Sequence, residues 1–165
     1  MSCDDEPGRP VLTRMRWWHL DDVMRLDGEL FGPTAWTPAN FWAELAAPGR
    51  HYLVAETPEG RIVGFAGLAT GGAEAEVQTI AVSKQAQGQG LGRRLLAALI
   101  DGAHKSGASS LMLEVRADND RAADLYRRAG FEQIAVRRGY YASIGVDALI
   151  MRRRVKSRPT RSSAE

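Results

Sequence analysis

One stretch near the middle of the chain, Gln87-Gly88-Gln89-Gly90-Leu91-Gly92-Arg93-Arg94, constrains the fold more than any other. It follows a run ending Ile80-Ala81-Val82 that reads as a strand, and it opens a run with helical spacing at Leu91, Leu95, Ala98 and Leu99. Glycines let the backbone turn tightly and let a ligand approach the amides. The free N–H groups of a helix start, at the positive end of the helix dipole, suit a phosphate or diphosphate. Cations in a first helical turn oppose that dipole, so Arg93 and Arg94 make most sense beside a bound anion. The competing reading is a glycine-rich turn with two solvated arginines. A Walker A loop is excluded, because no Lys-Ser/Thr follows the glycines. A dinucleotide-binding loop is disfavoured, because it belongs in an early strand–helix–strand unit.

The punctuation around this stretch is regular. Pro10 to Arg16 reads as a strand, and Leu20 to Phe31 as a helix that starts at Asp21 and Asp22 and stops near Gly32-Pro33. Thr37 and Pro38 open a second helix that ends at Pro48-Gly49. His51 to Glu56 and Arg61 to Ala69, split by Pro58-Glu59-Gly60, read as a hairpin. Ala75 to Val82 is a third run, followed by the helix Leu91 to His104 and a strand over Ser110 to Arg116. Asp118 or Asn119 caps a helix carrying Ala122, Leu125, Tyr126 and Ala129, closed by Gly130. Phe131 to Arg137 and Asp147 to Arg154 are strands flanking a Gly-Tyr-Tyr loop. This order, β-α-α-β-β-β-α-β-α-β-β, predicts an α/β (α+β) fold with a mixed sheet and helices on its faces.

A chain of 165 residues suits one core, expected over residues 10–155 between a loose leader at 1–9 and a loose basic tail at 156–165. The formal net charge is +2, which argues against a protein that coats polyanions, so no direct nucleic-acid contact is expected. Six of the ten residues from Arg152 to Arg161 are basic, read as a solvated end, with a ribosome contact the minority alternative. Cys3 alone forms no internal disulfide, and the start lacks a secretory pattern, so a cytoplasmic setting is expected. No apolar run approaches membrane-spanning length. The scattered His19, His51 and His104 give no metal site.

The motif Gln87-x-x-Gly90-x-Gly92 resembles the acetyl-CoA signature of the GCN5-related N-acetyltransferase (GNAT) superfamily. The stretches Leu113-Glu114-Val115-Arg116-Ala117-Asp118-Asn119, Leu125-Tyr126, Gly130-Phe131 and Arg138-Gly139-Tyr140-Tyr141 resemble its RimI branch, whose members acetylate the N-terminal alanine of a small-subunit ribosomal protein. The resemblance is dense from Glu76 to Arg152. It implies a twisted, mostly antiparallel sheet of about seven strands, splayed between the fourth and fifth, with about four helices.

It also implies the site. Acetyl-CoA would run along Ile80, Ala81 and Val82, and its diphosphate would meet the loop and helix start Gln87, Gly88, Gln89, Gly90, Leu91, Gly92 and Arg93. An N–H near Val82 would polarise the thioester carbonyl. Asn119 matches a further cofactor position, although a plain helix cap would also explain it. Glu114 matches the proton acceptor, with an ion-paired surface carboxylate as the bland alternative and Glu76 as a rival base. Tyr126 matches the proton donor, although it also lies on an apolar stripe and could be core. On the acceptor side, Trp36 and the pair Tyr140-Tyr141, with Glu76 nearby, would wall a pocket for a small first residue. Trp17, Trp18 and Trp42 are expected in packing. The expected activity is direct transfer of acetyl to a protein N-terminus in a ternary complex, by a monomer or weak dimer. The alternatives are acetylation of a small amine such as an aminoglycoside, polyamine or amino acid, and a non-catalytic acyl-CoA-binding module.

Overall fold

A computed structural model describes residues 8–155. The basic tail expected at 156–165 and all of the leader but Gly8 and Arg9 lie outside the described residues, as does Cys3. Helix α1 (Leu20–Phe31) carries Asp21 and Asp22 in its first turn, where acids complement the helix dipole, and stops at Gly32, whose φ is +50°. Helix α2 (Pro38–Ala46) starts with a reciprocal cap. The Thr37 hydroxyl accepts from the Asn40 N–H at 3.2 Å, and Asn40 Oδ1 accepts from the Thr37 N–H at 3.1 Å. Helix α3 (Leu91–Lys105) buries Leu91, Leu95 and Leu99 of the stripe its spacing predicts, together with Leu96 and Ala103, while Ala98 is only partly buried. Helix α4 (Asp120–Arg128) is capped by Asn119, whose Oδ1 accepts from the Ala122 N–H at 3.1 Å.

Seven strands, β1 (Val11–Arg14), β2 (Arg50–Glu56), β3 (Ile62–Ala69), β4 (Glu74–Val82), β5 (Ser110–Arg116), β6 (Glu132–Tyr141) and β7 (Val146–Arg154), form one sheet in the order β1-β2-β3-β4-β5-β7-β6. Every neighbouring pair is antiparallel except β4 and β5, which α3 connects as a parallel crossover. Alternation along the strands feeds two cores. Leu68, Leu111, Leu113 and Met151 pack with α3 and α4 on one face. Val54, Phe65 and Ala81 pack with Leu20, Val23 and Phe41 of α1 and α2 on the other. Fully burying one such side chain is worth about 1.5–3 kcal/mol, so the two faces together pin the register of the sheet.

Three expectations change. Trp17, Trp18 and Trp42 are exposed rather than packed. The inward side of α2 is taken by Phe41, and Trp42 falls about a quarter-turn away from it. Trp17 and Trp18 sit in a single 3₁₀ turn (Trp17–His19) ahead of the α1 stripe, edge to face at 5.7 Å. The Gly-Tyr-Tyr segment is not a loop. Strand β6 continues through it irregularly, because the Gly139 N–H donates to Asp147 Oδ1 at 2.7 Å and Tyr141 pairs with Val146. The basic run also begins inside β7, where Arg153 Nη1 donates to the Ala129 carbonyl at the end of α4. A cation there satisfies an orphan carbonyl and complements the dipole, so Arg153 is a helix cap rather than a solvated charge. No helix among the described residues is long and apolar enough to cross a membrane.

Candidate active site

Strands β4 and β5 are paired only at Glu74/Ser110, Ala75/Leu111 and Glu76/Met112. Beyond that point they part, and the sheet opens into a V at their C-terminal ends, where an α/β sheet takes its ligands. A bulge helps to bend the β4 arm: the β3–β4 register passes from Gly67/Thr79 to Leu68/Val77, leaving Gln78 without a partner. Helix α3 starts beyond the β4 arm and α4 beyond the β5 arm.

The β4 arm offers backbone. The Ser83 N–H donates to the Val63 carbonyl at 2.8 Å, which makes the opposed pair Gly64/Val82 a non-bonded one in the antiparallel ladder. The N–H and C=O of Val82 therefore point away from β3 into the V, and alternation turns those of Ile80 the same way. Ala81 differs from the sequence expectation: its backbone faces β3 and its side chain is buried in the α1–α2 core. Past the strand, Gly88 and Gly90 both have φ of +80°, a left-handed conformation that side chains resist. Gly90 is the N-cap of α3 and supplies no side-chain cap, and the first turn holds no acid. The N–H groups of Leu91, Gly92 and Arg93 are thus left without intrahelical partners. The Leu91 side chain is core, so this residue presents only its amide. Arg93 is exposed beside the loop, as is Gln89, whereas Arg94 turns away to the Pro10 carbonyl at 2.9 Å.

Gln87 joins the two arms. Its Nε2 donates to the Val82 carbonyl at 3.0 Å, and its Oε1 accepts from Arg121 Nη1, on α4, at 2.7 Å. Neither this bridge nor the part of Arg121 is signalled by spacing, since 34 residues separate the partners.

The β5 arm offers side chains. Glu114 lies two residues beyond the last β4–β5 pair, on the open part of the V, whereas Glu76 stays at its closed end opposite Met112. Glu114 Oε1 receives Arg137 Nη1 at 3.1 Å. The Tyr140 hydroxyl donates to the same carboxylate, which raises the Tyr140 phenol above its ordinary pKa. The Arg137 guanidinium rests 5.2 Å from the Tyr140 ring centre, and the Tyr140 and Tyr141 rings meet edge to face at 5.1 Å. Burial, and then the Glu114 charge, raise Tyr141 in turn. Arg116 is taken up by Asp118 at 2.9 and 2.7 Å, a fork that fixes the turn between β5 and α4.

Tyr126 is 5% exposed and meets Phe131 edge to face at 5.9 Å. Burial, with a smaller effect from Tyr141, pushes its phenol well above the ordinary range. Its ring is therefore core, as the apolar stripe implies. Among the described residues no hydrogen-bond partner takes its hydroxyl proton. Asn119 is a helix cap through its oxygen, which leaves its amide N–H₂ for other use. Trp36 belongs to a different wall: it packs on Phe41 at 5.2 Å, and its N–H donates at 2.7 Å to Asp27 Oδ2. Asp27 is 2% exposed, and burial raises its carboxyl pKa. Sequence reasoning passed over Asp27 and Arg137. Asp27 sits on an otherwise apolar helix face, and that is the one signal available for it. Among the described residues no cluster of His, Cys, Asp and Glu gathers to hold a metal.

A V-shaped opening with free amides on one arm and a carboxylate with a phenol on the other brings together the kinds of group that group transfer uses, donors for an anion or a carbonyl oxygen facing a proton acceptor. The acetyltransferase (GNAT) family profile matches residues 14–131, and the chain belongs to that family. Within it, the chain is 46% identical over 159 residues to N-alpha-acetyltransferase RimI of Mycobacterium tuberculosis, covering 93% of this chain and 96% of the relative. It is 42% identical over 106 residues to the ribosomal protein bS18-alanine N-acetyltransferase of Escherichia coli (strain K12), covering 62% of this chain and 72% of the relative. The crystal structure of the ribosomal-protein-S18-alanine N-acetyltransferase from Escherichia coli superposes with a TM-score of 0.82 at 30% identity, over 94% of this chain and 99% of that one.

Proposed function

We propose that this chain is an acetyl-CoA-dependent N-α-acetyltransferase. It moves an acetyl group directly onto the N-terminal amine of a protein, alanine foremost, and a small-subunit ribosomal protein is its acceptor. The observation that carries the reading is the parting of β4 from β5 after Glu76/Met112, which sets inward-facing amides across from Glu114. The acceptor class is supported by similarity to relatives named for N-α- and ribosomal-protein alanine acetylation.

Acetyl-CoA supplies an activated thioester. The α3 amides from Leu91 to Arg93, exposed by Gly88 and Gly90, hold the diphosphate with the help of the dipole and Arg93. The inward N–H of Ile80 binds the pantetheine arm. The inward N–H of Val82 stabilises the charge that develops on the acetyl carbonyl oxygen. Glu114 takes a proton from the acceptor ammonium. An α-amino group has a pKa near ~8, against ~10.4 for lysine, so an ordinary carboxylate acting through hydrogen bonds suffices. Tyr126, a phenol already protonated at neutral pH and held so more firmly by burial, gives its proton to the departing thiolate and regains one as the acceptor nitrogen becomes an amide. Trp36, Tyr140 and Tyr141 frame the first residue of the acceptor. Glu76, at the closed end of the V, is left to the rim of the acceptor site rather than to proton transfer.

The test is acetyl-CoA turnover on peptides that differ only in residue one, beside a peptide whose only free amine is a lysine side chain and beside an aminoglycoside. Turnover on the alanine-initiated peptide, well above the other two, is expected. Activity on the lysine or aminoglycoside acceptor alone overturns the N-terminal reading.

A further inference from the structure

Strand alternation and the sheet order place Glu114, Ile150 and Arg137 on one face, across three strands. The Arg137 side chain crosses β7 to reach the carboxylate. Its exposure is unlike that of its partner: the Arg137 side chain is 59% exposed and that of Glu114 24%. The guanidinium rests over the ring of Tyr140, an aromatic platform that is itself half exposed. A solvent-facing arginine thus closes off the carboxylate that the reaction needs.

We propose that Arg137 holds, in the free enzyme, the seat on Glu114 that the acceptor ammonium takes, so that it competes with the acceptor and sets its affinity. The inference rests on the role given to Glu114 above. Both groups are cations that donate N–H to one carboxylate, and the Tyr140 hydroxyl already fills part of its acceptor capacity. Lone pairs remain for a further donor, but two cations on one carboxylate repel each other, so an arriving ammonium displaces the guanidinium rather than sitting beside it. The exchange is cheap, because an ion pair this exposed on one side is weak and the guanidinium swings into water. The exchange also keeps one cation on the partly enclosed carboxylate throughout, so the charge is never left bare. After transfer the acceptor nitrogen is a neutral amide that has given up two protons: one has made good the proton Tyr126 gave the thiolate, and the other is carried by Glu114. Release of that proton to water and return of Arg137 restore the starting pair. Arg137 is then a positioning residue that touches the base rather than the reacting atoms.

The experiment is steady-state kinetics of the full chain and its Arg137→Gln and Arg137→Lys variants, with a short alanine-initiated peptide and, separately, with spermidine as acceptor. Thermal melts confirm that both variants fold. Arg137→Gln is expected to lower the KM of the accepted amine by about threefold to fivefold, the worth of one exposed ion pair, while the KM for acetyl-CoA stays put. Arg137→Lys keeps the cation and is expected to stay near the wild-type value. A raised or unchanged amine KM in Arg137→Gln overturns the proposal, because Arg137 would then bind the acceptor or do nothing. An equal fall in both KM values also overturns it. If the wild type acetylates spermidine and not the peptide, the N-terminal reading falls, and the variant-to-wild-type ratio on spermidine still decides the role of Arg137.

Discussion

The two arms of the V present different kinds of group. On the β4 arm the groups on offer are main-chain amides at Ile80, Val82 and the start of α3, and the side chains there, the exposed Arg93 apart, are absent or packed against the core. On the β5 arm they are side chains, Glu114, Tyr126, Tyr140 and Arg137; Glu114 and Arg137 meet from distant parts of the sequence, while Tyr126 rests on Phe131 and Tyr140 on Arg137 within a few residues. An arm made of backbone tolerates change wherever the chain path survives. An arm made of side chains fails at single atoms. The sharpest test is therefore Glu114→Gln. It keeps the shape and an oxygen for Arg137 and Tyr140 but removes the proposed proton acceptor. The value of kcat/KM is expected to fall about a thousandfold or more with the melting temperature nearly unchanged. Glu76→Gln, at the closed end of the V, is expected to leave the rate near wild type. A large loss from Glu76→Gln with little from Glu114→Gln would return Glu76 as the base.

Tyr126→Phe comes next. The ring is core against Phe131, and phenylalanine keeps that packing. Turnover is expected to drop about a hundredfold, read as kcat at saturating acetyl-CoA, with no more than a small change in the melt. Unchanged turnover would leave Tyr126 as a packing residue and move the proton donor elsewhere.

Gln87→Ala probes the join between the arms. It cuts the tie from the Val82 carbonyl through Gln87 to Arg121. The expected reading is a rise of about tenfold in the KM for acetyl-CoA, the worth of about one charge-assisted hydrogen bond, with the peptide KM little moved. A rise confined to the peptide would mean that the bridge serves the acceptor side.

The same contrast explains what the sequence reveals. The β4 arm is legible because glycine is a backbone statement: Gly88 and Gly90 announce left-handed turns and an open helix start before any partner is known. Element order is legible for the same reason, since Gly32, Gly60 and Gly130 each mark a stop. Identities on the β5 arm, such as Glu114 and Tyr126, are reached through family resemblance rather than spacing. Their surroundings depend on the sheet order β5-β7-β6, which no local pattern contains. Arg137 meets Glu114 only because β7 inserts between β5 and β6. Arg153 reads as part of a charged tail until α4 is seen to end against it. Trp17, Trp18 and Trp42 mislead because tryptophan weighs toward the interior by size, while the helix stripe that decides burial runs through Leu20, Val23 and Phe41.

The smallest expected effect lies farthest from the chemistry. Asp27 joins α1 to the Trp36 wall through one main-chain hydrogen bond of 2.7 Å. Burial raises its carboxyl pKa, and the Trp36 N–H offsets that only in part. A carboxyl with a pKa raised by folding binds its proton more tightly in the folded chain. Stability from this group is therefore greatest below the ordinary carboxylate range and is lost as the pH rises through the raised folded value. Asp27→Asn keeps an oxygen for the Trp36 N–H and removes the buried charge. The variant is expected to melt a few degrees higher than wild type at neutral pH, and the gap should shrink as the pH falls into the ordinary carboxylate range. The peptide KM should hold, because the wall keeps its tie. A lower melting temperature by the same margin at every pH would show that the carboxylate stabilises the wall by charge. The acceptor side would then depend on a buried ion as well as on the exposed ones around Glu114.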